Sequence, residues 1–109
     1  MPLFQDMCYN THMSVDETIQ TALHSIRSFV PNAKVYLFGS RARNDAQKYS
    51  DIDLGILADY RIDSRVMLDM IEKLEEIRSF YPVQIVDLKN VSVDFYKKVM
   101  DYAKEIHEQ

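Results

Sequence analysis

From Ser14 onward the apolar positions of this chain follow two rhythms, a helical one and a strand-like one, which alternate. Ser14-Val15-Asp16-Glu17 has the pattern of a capping box, in which Ser14 caps the Glu17 amide and the Glu17 side chain reaches back. Ile19, Leu23 and Ile26, with Ala22 and Val30 alongside, predict an amphipathic helix to about Phe29, ended by Pro31-Asn32. Lys34 to Phe38 is short, β-branched and aromatic, and reads as a buried strand stopping at Gly39. Ser40 to about Asp45 has room for one or two helical turns, and Asn44-Asp45 supplies a turn. Asp51 to Leu57 reads as a second strand and Ala58 to Arg61 as a loop. Asp63 or Ser64 then caps a helix whose apolar stripe is Val66, Met67, Met70, Ile71, Leu74 and Ile77. Glu72, Lys73, Glu75 and Glu76 lie on its wet side, and Tyr81-Pro82 ends it. Val83 to Leu88 is a third strand. Ser92 caps a last helix with Phe95, Val99, Ala103 and Ile106 as its buried stripe.

The expected order is α-β-(short α)-β-α-β-α, which implies an α/β (α+β) fold, a small sheet of three or more strands covered by helices. The pattern leaves strand order and direction open. Residues 1–13 show no periodicity and are expected to be a flexible N-terminal arm, with residues 14–109 forming one domain. A length of 109 residues agrees, since it suits a single core.

Composition narrows the class. Hydrophobic residues make up 47% and charged ones 28%, a globular balance that excludes general disorder. The net charge of -4 provides no global basic field for duplex nucleic acid, although Arg41, Arg43 and Lys48 cluster locally. Cys8 is the only cysteine, so no internal disulfide can form. His12, His24 and His107 are far apart and lack zinc-site spacing. No apolar run approaches the ~20 residues needed to cross a bilayer. MPLFQDMCYNTHM lacks the basic start and apolar block of a signal peptide, and a cytoplasmic location is expected.

The chemistry concentrates between Lys34 and Leu57, in KVYLFGSRARNDAQKYSDIDLGIL. Strand alternation puts Asp51 and Asp53 on one face and Ile52 and Leu54 on the other. Two neighbouring carboxylates repel, and a divalent cation such as Mg²⁺, held by carboxylates and substrate phosphates, relieves that repulsion. Asp87 ends an otherwise apolar strand, where a lone charge is expensive to bury. If that strand lies beside the second, Asp87 can complete a three-carboxylate cluster suited to two metal ions roughly 4 Å apart. Gly39-Ser40 can bring backbone amides and a hydroxyl to phosphate oxygens, and Arg41 and Arg43 add fixed positive charge. Each piece also has a plainer reading. The acidic pair can be a solvated edge, Gly39-Ser40 a turn, the arginines a wet helix face, and Asp87 a turn or cap residue before Asn90. Tyr49 and Tyr60 flank the acidic strand as base-stacking candidates or as lids on the core.

Order and spacing decide between these. FGSRARNDAQKYSDIDLGIL resembles the signature of the DNA polymerase β-type nucleotidyltransferase superfamily, Gly-Ser followed at a short distance by Asp-x-Asp. The chain is most similar to the minimal nucleotidyltransferases (MNT), the antitoxin half of HEPN–MNT toxin–antitoxin pairs. The resemblance implies a nucleotidyltransferase-like fold. It also implies that Gly39 and Ser40 grip nucleotide phosphates, with Arg41 and Arg43 as the basic residues of the loop. Asp51 and Asp53 would hold metal, and Asp87 would be the third acid. Asn44 departs from the glycine many members carry, but Asn tolerates a left-handed backbone. The implied activity is Mg²⁺-dependent transfer, with two ions, of AMP from ATP or another nucleotide to a hydroxyl. The implied acceptor is a tyrosine of a HEPN ribonuclease toxin, and a homodimer is an open alternative for how an acceptor is presented. A non-catalytic antitoxin that neutralises its partner by occlusion is the second expectation.

Overall fold

The computed structural model describes residues 13–109; the expected N-terminal arm lies almost wholly outside the described residues. Helix α1, Val15–Phe29, opens with the capping box in full. The Glu17 amide donates to Ser14 Oγ at 3.0 Å and the Ser14 amide to Glu17 Oε1 at 2.8 Å. Strand β1 is Lys34–Phe38, α2 is Ser40–Arg43, β2 is Ile52–Leu57 and α3 is Ser64–Glu75. Strand β3 is Val83–Asp87, α4 is Val93–Tyr102 and β4 is Lys104–Ile106.

The four strands form one sheet in the order β3-β2-β1-β4. β1 runs antiparallel to β2 and β4, whereas β2 and β3 are parallel and joined across α3. Alternation gives the sheet two different faces. Val35, Ile52, Leu54 and Ile56 face the core, where they meet Ile19, Leu23 and Ile26 of α1 and Met70 and Leu74 of α3. Asp53 and Gly55 of β2, with Phe38 and Tyr36 registered opposite them on β1, occupy the other face. Helix α4 reaches that face, and Phe95 stacks edge-on against Phe38 with ring centroids 6.3 Å apart. Gly55 leaves room there for the Leu88 side chain, which a Cβ would push aside.

Two expectations change at the helix ends. The last helix stops at Tyr102, and Ala103 turns to an extended conformation. Lys104–Ile106 then pairs with β1, so Ile106 reaches the core beside Val35 as a strand residue rather than on a helical stripe. That strand covers the edge of β1, whose backbone groups would otherwise need water. Phe95 of the expected buried stripe remains 39% exposed. Helix α3 ends at Glu75, short of Ile77, and Ile71 of the expected stripe is 38% exposed. Among the described residues no helix is long and apolar enough to cross a membrane.

Candidate active site

Gly39 carries the strand-to-helix turn at φ 74° and ψ -155°, a conformation effectively reserved for glycine. The carboxylate of Asp53 lies so close that a Cβ on Gly39 would collide with Asp53 Oδ2. Glycine here therefore serves both backbone geometry and room for an acid. Helix α2 starts at once with Ser40, and the Gly39 carbonyl accepts from the Ala42 and Arg43 amides at 3.1 and 3.2 Å. The first amides of a helix have no intrahelical acceptor and suit an anion. Asn44 closes α2 in the left-handed region at φ 64°, as expected of the residue replacing glycine.

Asp51 sits one residue before β2, in phase with Asp53. The Asp53 carboxyl is held above its ordinary range, first by partial burial and then by the negative charge of Asp51, with Arg43 opposing both. The Asp51 charge is the second of these causes, and it is the part that a divalent cation between the two carboxylates would relieve. Because the folded chain binds that proton more tightly than an unfolded one, stability falls as pH rises from about 3.8 through the raised value. At pH 7 in EDTA, Asp53→Asn is expected to melt at a higher temperature than wild type, and saturating Mg²⁺ should reverse the order. Identical melting of the two proteins in both buffers would remove the repulsion argument.

The two arginines separate in role. Arg41 donates to the Ser50 carbonyl through Nη2 at 2.9 Å and Nε at 3.2 Å, and to the Lys48 carbonyl at 3.3 Å. Its guanidinium also stacks over Tyr81, 5.1 Å from the ring centre. Arg41 thus clamps the loop that delivers Asp51. Arg43 remains exposed beside the acids, 3.3 Å from Asp45. Tyr49 packs against Phe80 and Tyr81, with centroids 5.6 and 6.0 Å away, yet stays half exposed.

Asp87 is not brought to the pair. The parallel register matches Asp87 to Ile56, a core-facing residue, whereas Asp53 is matched to Gln84. Asp87 therefore lies on the opposite face of the sheet and three residues farther along β3. It is 5% exposed and accepts from the Ile62 amide at 2.8 Å and the Lys89 amide at 2.9 Å. Two backbone donors make its burial affordable, and the turn reading before Asn90 is the one that holds. Among the described residues no three His, Cys, Asp or Glu side chains gather where they could hold a metal. The signal for this was in the strand itself, since Asp87 shares the phase of core-facing Val83 and Ile85.

Comparison with known proteins identifies the family and the fold. The sequence profile of the family "Polymerase beta, Nucleotidyltransferase" matches residues 24–109. "Probable protein adenylyltransferase MntA" of Haemophilus influenzae is 33% identical over 70 residues, 64% of this chain and 61% of that protein. The chain thus spans under two thirds of that relative's length. Among solved structures, a toxin–antitoxin complex with AMP-PNP aligns at TM-score 0.64 and 24% identity, covering 83% of this chain and 73% of its match. A Shewanella oneidensis complex of a tri-AMPylated HEPN toxin with its MNT antitoxin aligns at 0.61 and 23%, covering 84% and 71%. Likeness at that identity carries the fold.

Proposed function

The chain belongs to the polymerase β nucleotidyltransferase family, and from that membership we propose that it transfers AMP from ATP to a hydroxyl. The acceptor in this reading is a tyrosine of a HEPN ribonuclease toxin, and the chain is the cytoplasmic antitoxin that silences it. The observation that carries the reading is the seating of the Asp53 carboxylate against Gly39, with Asp51 and Arg43 in electrostatic reach. A glycine turn that can approach phosphate and an acidic pair that can hold metal are parts that phosphoryl transfer uses together. The relatives supply the substrate class: one is named a protein adenylyltransferase, and others were solved with AMP-PNP or with an AMPylated toxin.

In this reading Gly39 lets the backbone close on the triphosphate, the Ser40 hydroxyl donates to a phosphate oxygen, and Arg43 offsets phosphate charge. Arg41 works at a distance, holding loop 44–51 so that Asp51 stays beside Asp53. Asp51 and Asp53 fit Mg²⁺, since they are two hard oxygen donors whose mutual repulsion a cation relieves. A bound Mg²⁺ would offset the charge that develops on the phosphates during transfer.

Incubation with labelled ATP, Mg²⁺ and the HEPN partner tests the reading. Label on the partner with wild type and none with Asp53→Asn is the expected result. An unlabelled partner, or equal label with Asp53→Asn, would sink it. A second reading, neutralisation by occlusion, is favoured by the exposed apolar residues Val93, Phe95 and Tyr102 of α4. It requires that Asp51→Asn and Asp53→Asn still neutralise the toxin.

A further inference from the structure

We infer that the acidic pair holds a single divalent cation, and that Gln84 sets this number by placing a neutral amide where a second ion would need a carboxylate. The inference rests on the nucleotidyltransferase reading above and concerns what this chain's own side chains can bind.

Two ions roughly 4 Å apart bring four positive charges together, which the substrate phosphates offset in part and protein carboxylates must offset for the rest. This chain offers two, Asp51 and Asp53. The position able to add a third is defined by the sheet. Residues registered across parallel strands point to the same face, and the strands lie about 4.8 Å apart. The residue so placed beside Asp53 is Gln84. It is exposed on β3, the outer strand of the sheet. Its amide oxygen can serve as a neutral ligand but brings no charge.

Among the described residues no other acid joins the pair. Asp87 is three residues along, roughly 10 Å at strand spacing, and on the far face. Its two oxygens accept from the Ile62 and Lys89 amides. Asp45 is paired with Arg43. The charge already present agrees, because Arg43 lies close enough to Asp53 to offset part of its charge and would repel a second cation.

The test counts ions. The protein is loaded with a non-hydrolysable ATP analogue and titrated with Mn²⁺, and bound ions are read by electron paramagnetic resonance. Wild type and Gln84→Ala should each hold one Mn²⁺ per chain with an uncoupled spectrum. Gln84→Asp should hold two, with the spin coupling of ions roughly 4 Å apart. Gln84→Glu, which keeps the length of the native side chain, is the second variant should the aspartate fall short of the pair. Circular dichroism and melting of each variant confirm the fold before the count. Two ions in wild type, one in both acidic variants, or none in any protein would overturn the inference. Labelled-ATP transfer on the same samples separates the two claims: a one-ion chain that labels nothing defeats the transfer reading and leaves the ion count standing.

Discussion

Gly39→Ala is expected to lower the proposed AMP transfer by on the order of a hundredfold, the scale on which a displaced reacting group slows catalysis. It should also destabilise the fold by about 1–3 kcal/mol, through a side chain forced into a backbone region reserved for glycine. Both effects come from one methyl group. At φ 74° and ψ -155° the alanine strains the turn, and its Cβ meets Asp53 Oδ2. Either Asp53 swings away from Asp51, or the turn opens and carries Ser40 with it. In the proposed site the first outcome separates the acidic pair and the second displaces the glycine turn. Urea unfolding reads the stability loss, and labelled ATP with the HEPN partner reads transfer. An alanine variant with wild-type transfer would show that the contact between turn and acid is incidental. Gly55 makes a useful contrast, because the Cβ it lacks would meet only the end of the Leu88 side chain and no acid.

Asp87→Ala should behave in the opposite way, with a large loss of stability and no loss of metal affinity in the molecules that remain folded. The buried carboxylate ties the Ile62 amide, in the loop after β2, to the Lys89 amide after β3. Ile62 is itself buried, so its donor would lose the one acceptor that the fold gives it. Bonds to a charged acceptor are worth roughly 1.5–3 kcal/mol, and an orphaned buried donor adds its own penalty. A loss of about 3 kcal/mol follows, or roughly 10–15 °C in melting temperature for a domain of this size. Thermal melting measures the first effect, and Mn²⁺ binding below the transition measures the second. A variant that melts like wild type yet binds metal poorly would restore Asp87 to the site.

The contrast between Asp53 and Asp87 shows what strand phase can and cannot carry. Asp51 and Asp53 were legible as a pair because period-2 alternation needs no partner strand to place them on one face. The same rule applied to Val83, Ile85 and Asp87 assigns Asp87 to the core. A charged residue at a strand end invites a catalytic reading only when phase is set aside. The arginines taught a different lesson. Arg41 and Arg43 look alike in FGSRARND, and nothing local says that one turns back onto the Ser50 carbonyl and the Tyr81 ring. That assignment depends on where Tyr81, forty residues away, comes to rest.

Local chemistry determined much of this protein from the sequence alone. The capping box at Ser14, the strand ending at Gly39, the left-handed Asn44 and the acidic pair each depend on neighbours within a few residues. The tertiary structure decided the rest. Pairing with β1 turned Lys104–Ile106 from helix into strand, because an edge with unpaired backbone groups outweighed a short helical stripe. Parallel pairing of β2 with β3 set Gln84, not Asp87, beside Asp53, because register is a property of two strands and neither one encodes it alone.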